Sequence, residues 1–95
     1  MAGTQLQFEW DAGNREHLAR HGISAAEFEQ GMSNDPFLEV ETEAGGEWRA
    51  KVAAVTDRGR LLEMVYTIRR GRIRAITAFP MKRRKRELYH GKFEI

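Results

Sequence analysis

Residues 61–79 read "LLEMVYTIRRGRIRAITAF". Two apolar runs flank Arg69-Arg70-Gly71, and a glycine between such runs signals a tight turn. "LLEMVYTI" (61–68) is apolar apart from Glu63 and Thr67, as a strand with neighbours on both sides should be. "RIRAITAF" (72–79) is rich in β-branched and aromatic residues, which fit a pleated, half-buried surface. A hairpin inside a sheet is therefore expected. Upstream, "FLEVET" alternates, "EAGGE" is a turn, and "WRAKVAAVT" puts Trp48, Ala50, Val52 and Ala54 on one side. Arg49 and Lys51 fall on the other side. "DRGR" (57–60) turns the chain into the quoted stretch. Strands joined by short turns make an antiparallel meander of about four strands.

Outward from this meander the patterns change. "LQFEW" is a short alternating run, expected as an edge strand. Asp11 is placed to cap a helix that Gly22 ends. Ser24 followed by Glu27 is a capping box, flanked by Ile23 and Phe28 with the spacing of a hydrophobic staple. This second helix should run to about Met32, before Asn34-Asp35-Pro36 breaks it. After Pro80, "MKRRKRELY" predicts a short basic helix, with Met81 and Leu88 as its apolar residues. The expected class is α+β: one antiparallel sheet, two N-terminal helices on one face, and the basic helix at the sheet's edge or across its end.

Composition limits the function. The 95 residues make one domain, residues 1–95, with a modest core. There is no cysteine, so disulfides and thiolate metal sites are excluded. No apolar run is long enough to span a bilayer and no signal-peptide pattern is present, so a cytoplasmic protein without a membrane partner is expected. Charge is divided unevenly. Residues 1–48 carry two bases against ten acids, and residues 49–95 fourteen bases against four acids. A polyanion or an acidic protein is the expected partner of the second half, unless the halves pair with each other.

His17 and His21, four apart on a helix, could clamp a metal, but no third ligand is apparent and two polar surface histidines are the expected reading. No metal and no cofactor are therefore expected. The bases suggest a different chemistry. RNA cleavage by 2′-hydroxyl attack needs a base, an acid and cations around the transition state. Arginine suits the last role because its planar fork matches phosphate oxygens. The candidate catalytic residues are Arg74, Arg83, Glu63 and Tyr66. The candidate RNA-binding residues are Arg69, Arg70, Arg72, Lys82, Arg86 and Lys51. The alternative is a non-catalytic RNA- or DNA-binding module, or a protein-interaction module, on the same fold.

The order of motifs resembles the BrnT family, the toxins of BrnT/BrnA toxin–antitoxin systems. The resemblance runs over about residues 8–89 and rests on "FEWD" (8–11), "HG" (21–22), "DP" (35–36), "VYT" (65–67) and "RIRAITA" (72–78), followed by a basic helix ending in "ELY". It implies a RelE-like, barnase-like fold, an endoribonuclease that needs no metal and arrests translation, and neutralisation by a small DNA-binding antitoxin of the BrnA kind. The chain departs from the family's pattern at one point. Arginine or lysine usually follows the end of the last strand, whereas here Phe79 and Pro80 follow Ala78 and the bases begin at Lys82. Phe79 either stacks on a base or, as is expected, closes the core against Met81 and Leu88.

Overall fold

A computed structural model describes residues 5–93. The chain runs β1 (Phe8–Glu9), α1 (Ala12–Ala19), α2 (Ala25–Ser33), β2 (Phe37–Ala44), β3 (Glu47–Val55), β4 (Leu61–Arg69), β5 (Arg72–Pro80) and α3 (Arg83–Tyr89). The strands form one sheet in the order β1-β5-β4-β3-β2. β2 to β5 are the expected antiparallel meander. β1 corrects the all-antiparallel expectation, because it pairs parallel to β5, with Phe8 opposite Ile73 and Glu9 opposite Arg74. The two helices carry the chain from β1 to the far edge, and the meander then returns to pair beside its starting point. Alternation within a strand does not specify a partner that lies some 65 residues away. No helix among the described residues is long and apolar enough to cross a membrane.

The turns follow from local chemistry. Arg70 and Gly71, at φ 55° and 76°, both take the left-handed conformation that a two-residue hairpin turn requires. Asp11 caps α1 by accepting from the Asn14 amide at 2.9 Å, while Asn14 Oδ1 accepts from the Asp11 amide at 2.9 Å. Asn14 is buried and also donates to the Glu9 carbonyl at 3.1 Å, which ties α1 to β1. The Ser24–Glu27 capping box forms in both directions, each bond 3.1 Å. Ile23 and Phe28 are buried on either side of it, as the staple pattern predicts.

Each face of the sheet carries its own core. On the first, Leu18, Phe28 and Met32 from the helices and Ile23 from the link between them pack on Val52, Ala54, Leu62, Met64, Ile73, Ala75 and Ala78. On the second, Met81 and Tyr89 cover Ala53, Val55 and Leu61. Thus α3 lies over one end of the second face, and Tyr89 is its anchor where Leu88 was expected. Leu88 is 72% exposed. Phe79 is half-buried and belongs to neither core, which corrects the expectation that it closes the sheet against Met81 and Leu88.

Candidate active site

Directly opposed residues of paired strands point to the same face. Lys51 opposes Val65, Val65 opposes Thr77, and Glu63 opposes both Ala53 and Phe79. All therefore lie on the second face, and α3 covers only one end of it. At the other end two cavities adjoin. One, of about 300 Å³, is lined by His17, Arg49, Thr67, Arg69 and Arg74 with Asn14 and Ile76. The other, of about 280 Å³, is lined by Val40, Thr42, Arg49, Lys51 and Val65. Arg49 lines both, so together they form an open trough that crosses the strands from β2 to α1.

The register of α1 against β5 brings a histidine to this trough. Four residues of helix and two of strand both advance about 6 Å. His17 on α1 meets Thr77, and His21, in the turn just after α1, meets Phe79. His17 Nε2 stands 3.1 Å from Thr77 Oγ1, and the His21 and Phe79 rings are 6.3 Å apart between centroids. The two histidine rings are 5.5 Å apart, and no third metal-ligating side chain joins them among the described residues.

The cations in the trough are held in unequal ways. Arg74 Nη1 contacts Asp11 Oδ2 at 2.8 Å and Glu9 Oε1 at 3.4 Å, and its side chain is 20% exposed. The Asn14 amide first, and then the Arg74 guanidinium, hold the Asp11 carboxyl below its ordinary value. Arg49 has a looser arrangement, with its Nε 2.8 Å from Glu47 Oε1 and its side chain 48% exposed. Lys51 Nζ lies 3.0 Å from Glu63 Oε1. That carboxylate is buried and is also held by Lys85 Nζ at 2.7 Å. Burial alone would raise the Glu63 pKa; the bonds from Lys85 and Lys51 overturn this and keep it below the ordinary value. Lys85 continues to Glu39 Oε2 at 3.0 Å, and Tyr89 donates its hydroxyl to the same carboxylate.

Of the residues picked out in the sequence, Lys51, Glu63, Arg69 and Arg74 come together on this face. Tyr66 does not. It opposes Ala50 and Ala75 and packs on Trp48 against the helix-side core, with ring centroids 5.7 Å apart. Arg70 and Arg72 are exposed at the hairpin tip, and Lys82 is exposed ahead of α3. Arg83 is 86% exposed, with Glu87 of its own helix 3.9 Å away. Arg86 donates to the Met81 carbonyl at 2.9 Å. Sequence reasoning missed His17, Arg49, Thr67 and Thr77 as site residues. A signal existed for Arg49, because it shares the polar side of β3 with Lys51. Thr67 had one too, as one of the two polar residues that interrupt the apolar run 61–68; it donates to the Trp48 carbonyl at 2.6 Å.

Residues 10–85 match the family model described as the ribonuclease toxin BrnT of type II toxin–antitoxin systems. The chain belongs to the BrnT family. The matched stretch takes in the whole trough, from Gly13 on α1 to Ile76 on β5, and ends within the first turn of α3. No curated protein matches the chain. Membership of BrnT makes it a ribonuclease toxin, with RNA as substrate and an antitoxin as partner.

Proposed function

We propose that the trough cleaves RNA endonucleolytically without a metal, by attack of the ribose 2′-hydroxyl on the adjacent phosphorus. The observation that carries this reading is the convergence of a half-buried histidine with Arg49 in one cavity, next to Lys51 on the same face. In this mechanism His17 takes the 2′-hydroxyl proton. The O2′–P bond forms and the P–O5′ bond breaks. The leaving O5′ takes a proton from the Lys51 ammonium, and the products end in a 2′,3′-cyclic phosphate and a 5′-hydroxyl. Arg49 supplies the fork that matches the pentacoordinate phosphate, since it is itself exposed and has a single carboxylate partner to give up. Glu63 acts by positioning, because as a fixed anion it holds Lys51 in place. Arg74 positions β1 and the start of α1 through Glu9 and Asp11. Arg69, Arg70, Arg72, Lys82, Arg83 and Arg86 serve as backbone contacts outside the reacting centre, and Tyr66 supports β3 from the other face.

The test is incubation of the protein with RNA in excess chelator, followed by end-group analysis. Cyclic phosphate ends are expected from the parent. His17→Ala should lower the rate about 100-fold or more, the usual scale for acid–base catalysis. Cleavage that stops in chelator would remove metal independence, and His17→Ala at parental rate would remove His17 from the mechanism. The proposed antitoxin is a small DNA-binding protein of the BrnA kind, and the cytoplasm is the proposed location of both partners.

A further inference from the structure

Phe79 is a large aromatic side chain that neither core uses. It is half-buried on the second face, directly opposite Glu63, and it joins neither core. Its ring neighbour is the exposed His21, 6.3 Å away at a tilt of 59°. His21 in turn meets His17 edge-on at 5.5 Å, and His17 is the residue bonded to Thr77. Of these three rings His17 lines the trough, and His21 and Phe79 lead on from it along β5. An aromatic face beside a phosphate-binding surface is the arrangement that single-stranded nucleic acid uses, because every base has a π-face while its phosphates sit on cations. Neighbouring residues fit the same substrate. Pro80, next to Phe79, is exposed and has no N–H to satisfy, so the strand end is open to a ligand.

We propose that Phe79, propped by His21, is a stacking platform for one unpaired nucleobase next to the scissile phosphate. The platform fixes which nucleotide is presented to His17 and Arg49. This rests on the ribonuclease reading of the trough, but it can be measured without turnover. Two fluorescently labelled oligonucleotides are compared by anisotropy. Both carry a 2′-deoxyribose at the cleavage position, so neither can react. One has an intact base beside that position and the other an abasic site. The parent should bind the intact strand roughly 5- to 100-fold more tightly, the range for loss of one stacked base. Phe79→Leu keeps an apolar side chain without a π-face and should bind both strands alike. Phe79→Trp should restore the preference. His21→Ala, at an exposed position, should reduce the preference even if Phe79→Leu proves unstable. A parent that binds both strands equally, or a preference that survives Phe79→Leu, overturns the platform and leaves Phe79 as a surface for a protein partner. A parent that discriminates between the strands but cleaves no RNA keeps the platform and overturns the ribonuclease reading instead.

Discussion

Arg49 and Arg74 are the same residue type in the same cavity, yet their surroundings assign them different work. Arg74 has two carboxylates, Asp11 and Glu9, and one of them is the N-cap of α1. Removing it would leave those acids facing each other beside the short β1–β5 pairing. Arg74→Ala should therefore lower the thermal midpoint and reduce cleavage only as far as folding is affected. Arg49 is exposed and has one partner, and such surface pairs stabilise a fold by about 0–1 kcal/mol. Arg49→Ala should leave the melt unchanged and lower the cleavage rate about 100- to 1000-fold, the cost of losing one preorganised donor. Parallel melts and rate measurements on both variants check this. An Arg49→Ala protein with normal turnover would move the phosphate site elsewhere. The same contrast shows what the sequence hides. Alternation placed Arg49 on the polar side of β3, but the acids that neutralise Arg74 come from β1 and the α1 cap, far off in sequence.

Among the elements, α2 packs closely on the sheet at Gly31. A Cβ at Gly31 would stand 2.9 Å from Met64 Cε and 3.1 Å from Ala54 Cβ. The Met64 side chain can move, but Ala54 is part of β3 and cannot. Gly31→Ala gains about 1 kcal/mol of helix propensity. Against it stands an overpacking cost of about 1–3 kcal/mol. A net loss of stability is expected, larger for Gly31→Val, and denaturant midpoints measure it. At the start of the same helix, Ser24→Ala should cost about 1 kcal/mol, since it removes the acceptor for the Glu27 amide. Cleavage by the folded fraction should be unaffected, because Ser24 lies outside the trough. An activity loss in fully folded Ser24→Ala would contradict a purely structural cap. The capping box and the staple were legible because both are contacts within a few residues. The Gly31 constraint was not, because the atoms that impose it belong to β3 and β4.

At the scale of the molecule, the acidic first half and the basic second half largely neutralise each other. Glu9 and Asp11 hold Arg74, Glu27 holds Arg60, and Glu39 holds Lys85. The bases that face outward include Arg70 and Arg72 at the hairpin tip and Lys82, Arg83 and Arg84 on α3 and just before it. Replacing Lys82 and Arg83 by alanine should leave the melt unchanged and flatten the salt dependence of RNA binding. Each lost phosphate contact on a single strand lowers the slope of log affinity against log salt by about 0.7. An unchanged slope would show that RNA does not reach α3. The attachment of α3 also sets an alkaline limit. Burial first, and then the Glu39 carboxylate, push the Tyr89 hydroxyl up to about 12 from its ordinary 10.0. A folded-state pKa above the unfolded value means that the stabilisation is complete below pH 10 and falls as pH rises towards 12. Lys85, whose pKa is also raised by its two carboxylates against the effect of burial, loses its contribution in the same direction. Stability should thus fall from pH 10 upward, and Tyr89→Phe should flatten that part of the profile. A parent profile that is level across this range would mean that the Tyr89–Glu39 bond contributes nothing.

What the sequence determined by itself was everything with a short period or a short range. The four-strand meander, both N-terminal helices with their caps, the tight turn at Arg70-Gly71 and the basic helix after Pro80 all follow from side-chain alternation, capping chemistry and backbone sterics. Side-chain alternation even separates Glu63 from Tyr66, since residues three apart on a strand point to opposite faces. Tertiary structure alone decided the parallel return of β1 to β5, the seating of α3 on the second face and the approach of His17 to Thr77. Each of these joins residues tens of positions apart. Such contacts depend on which apolar surfaces bury each other once the elements exist, and no local pattern records that choice. Phe79 shows the difference at one position. Its apolar character suggested a core residue, and only the packing of Met81 and Tyr89 elsewhere left it half open beside His21.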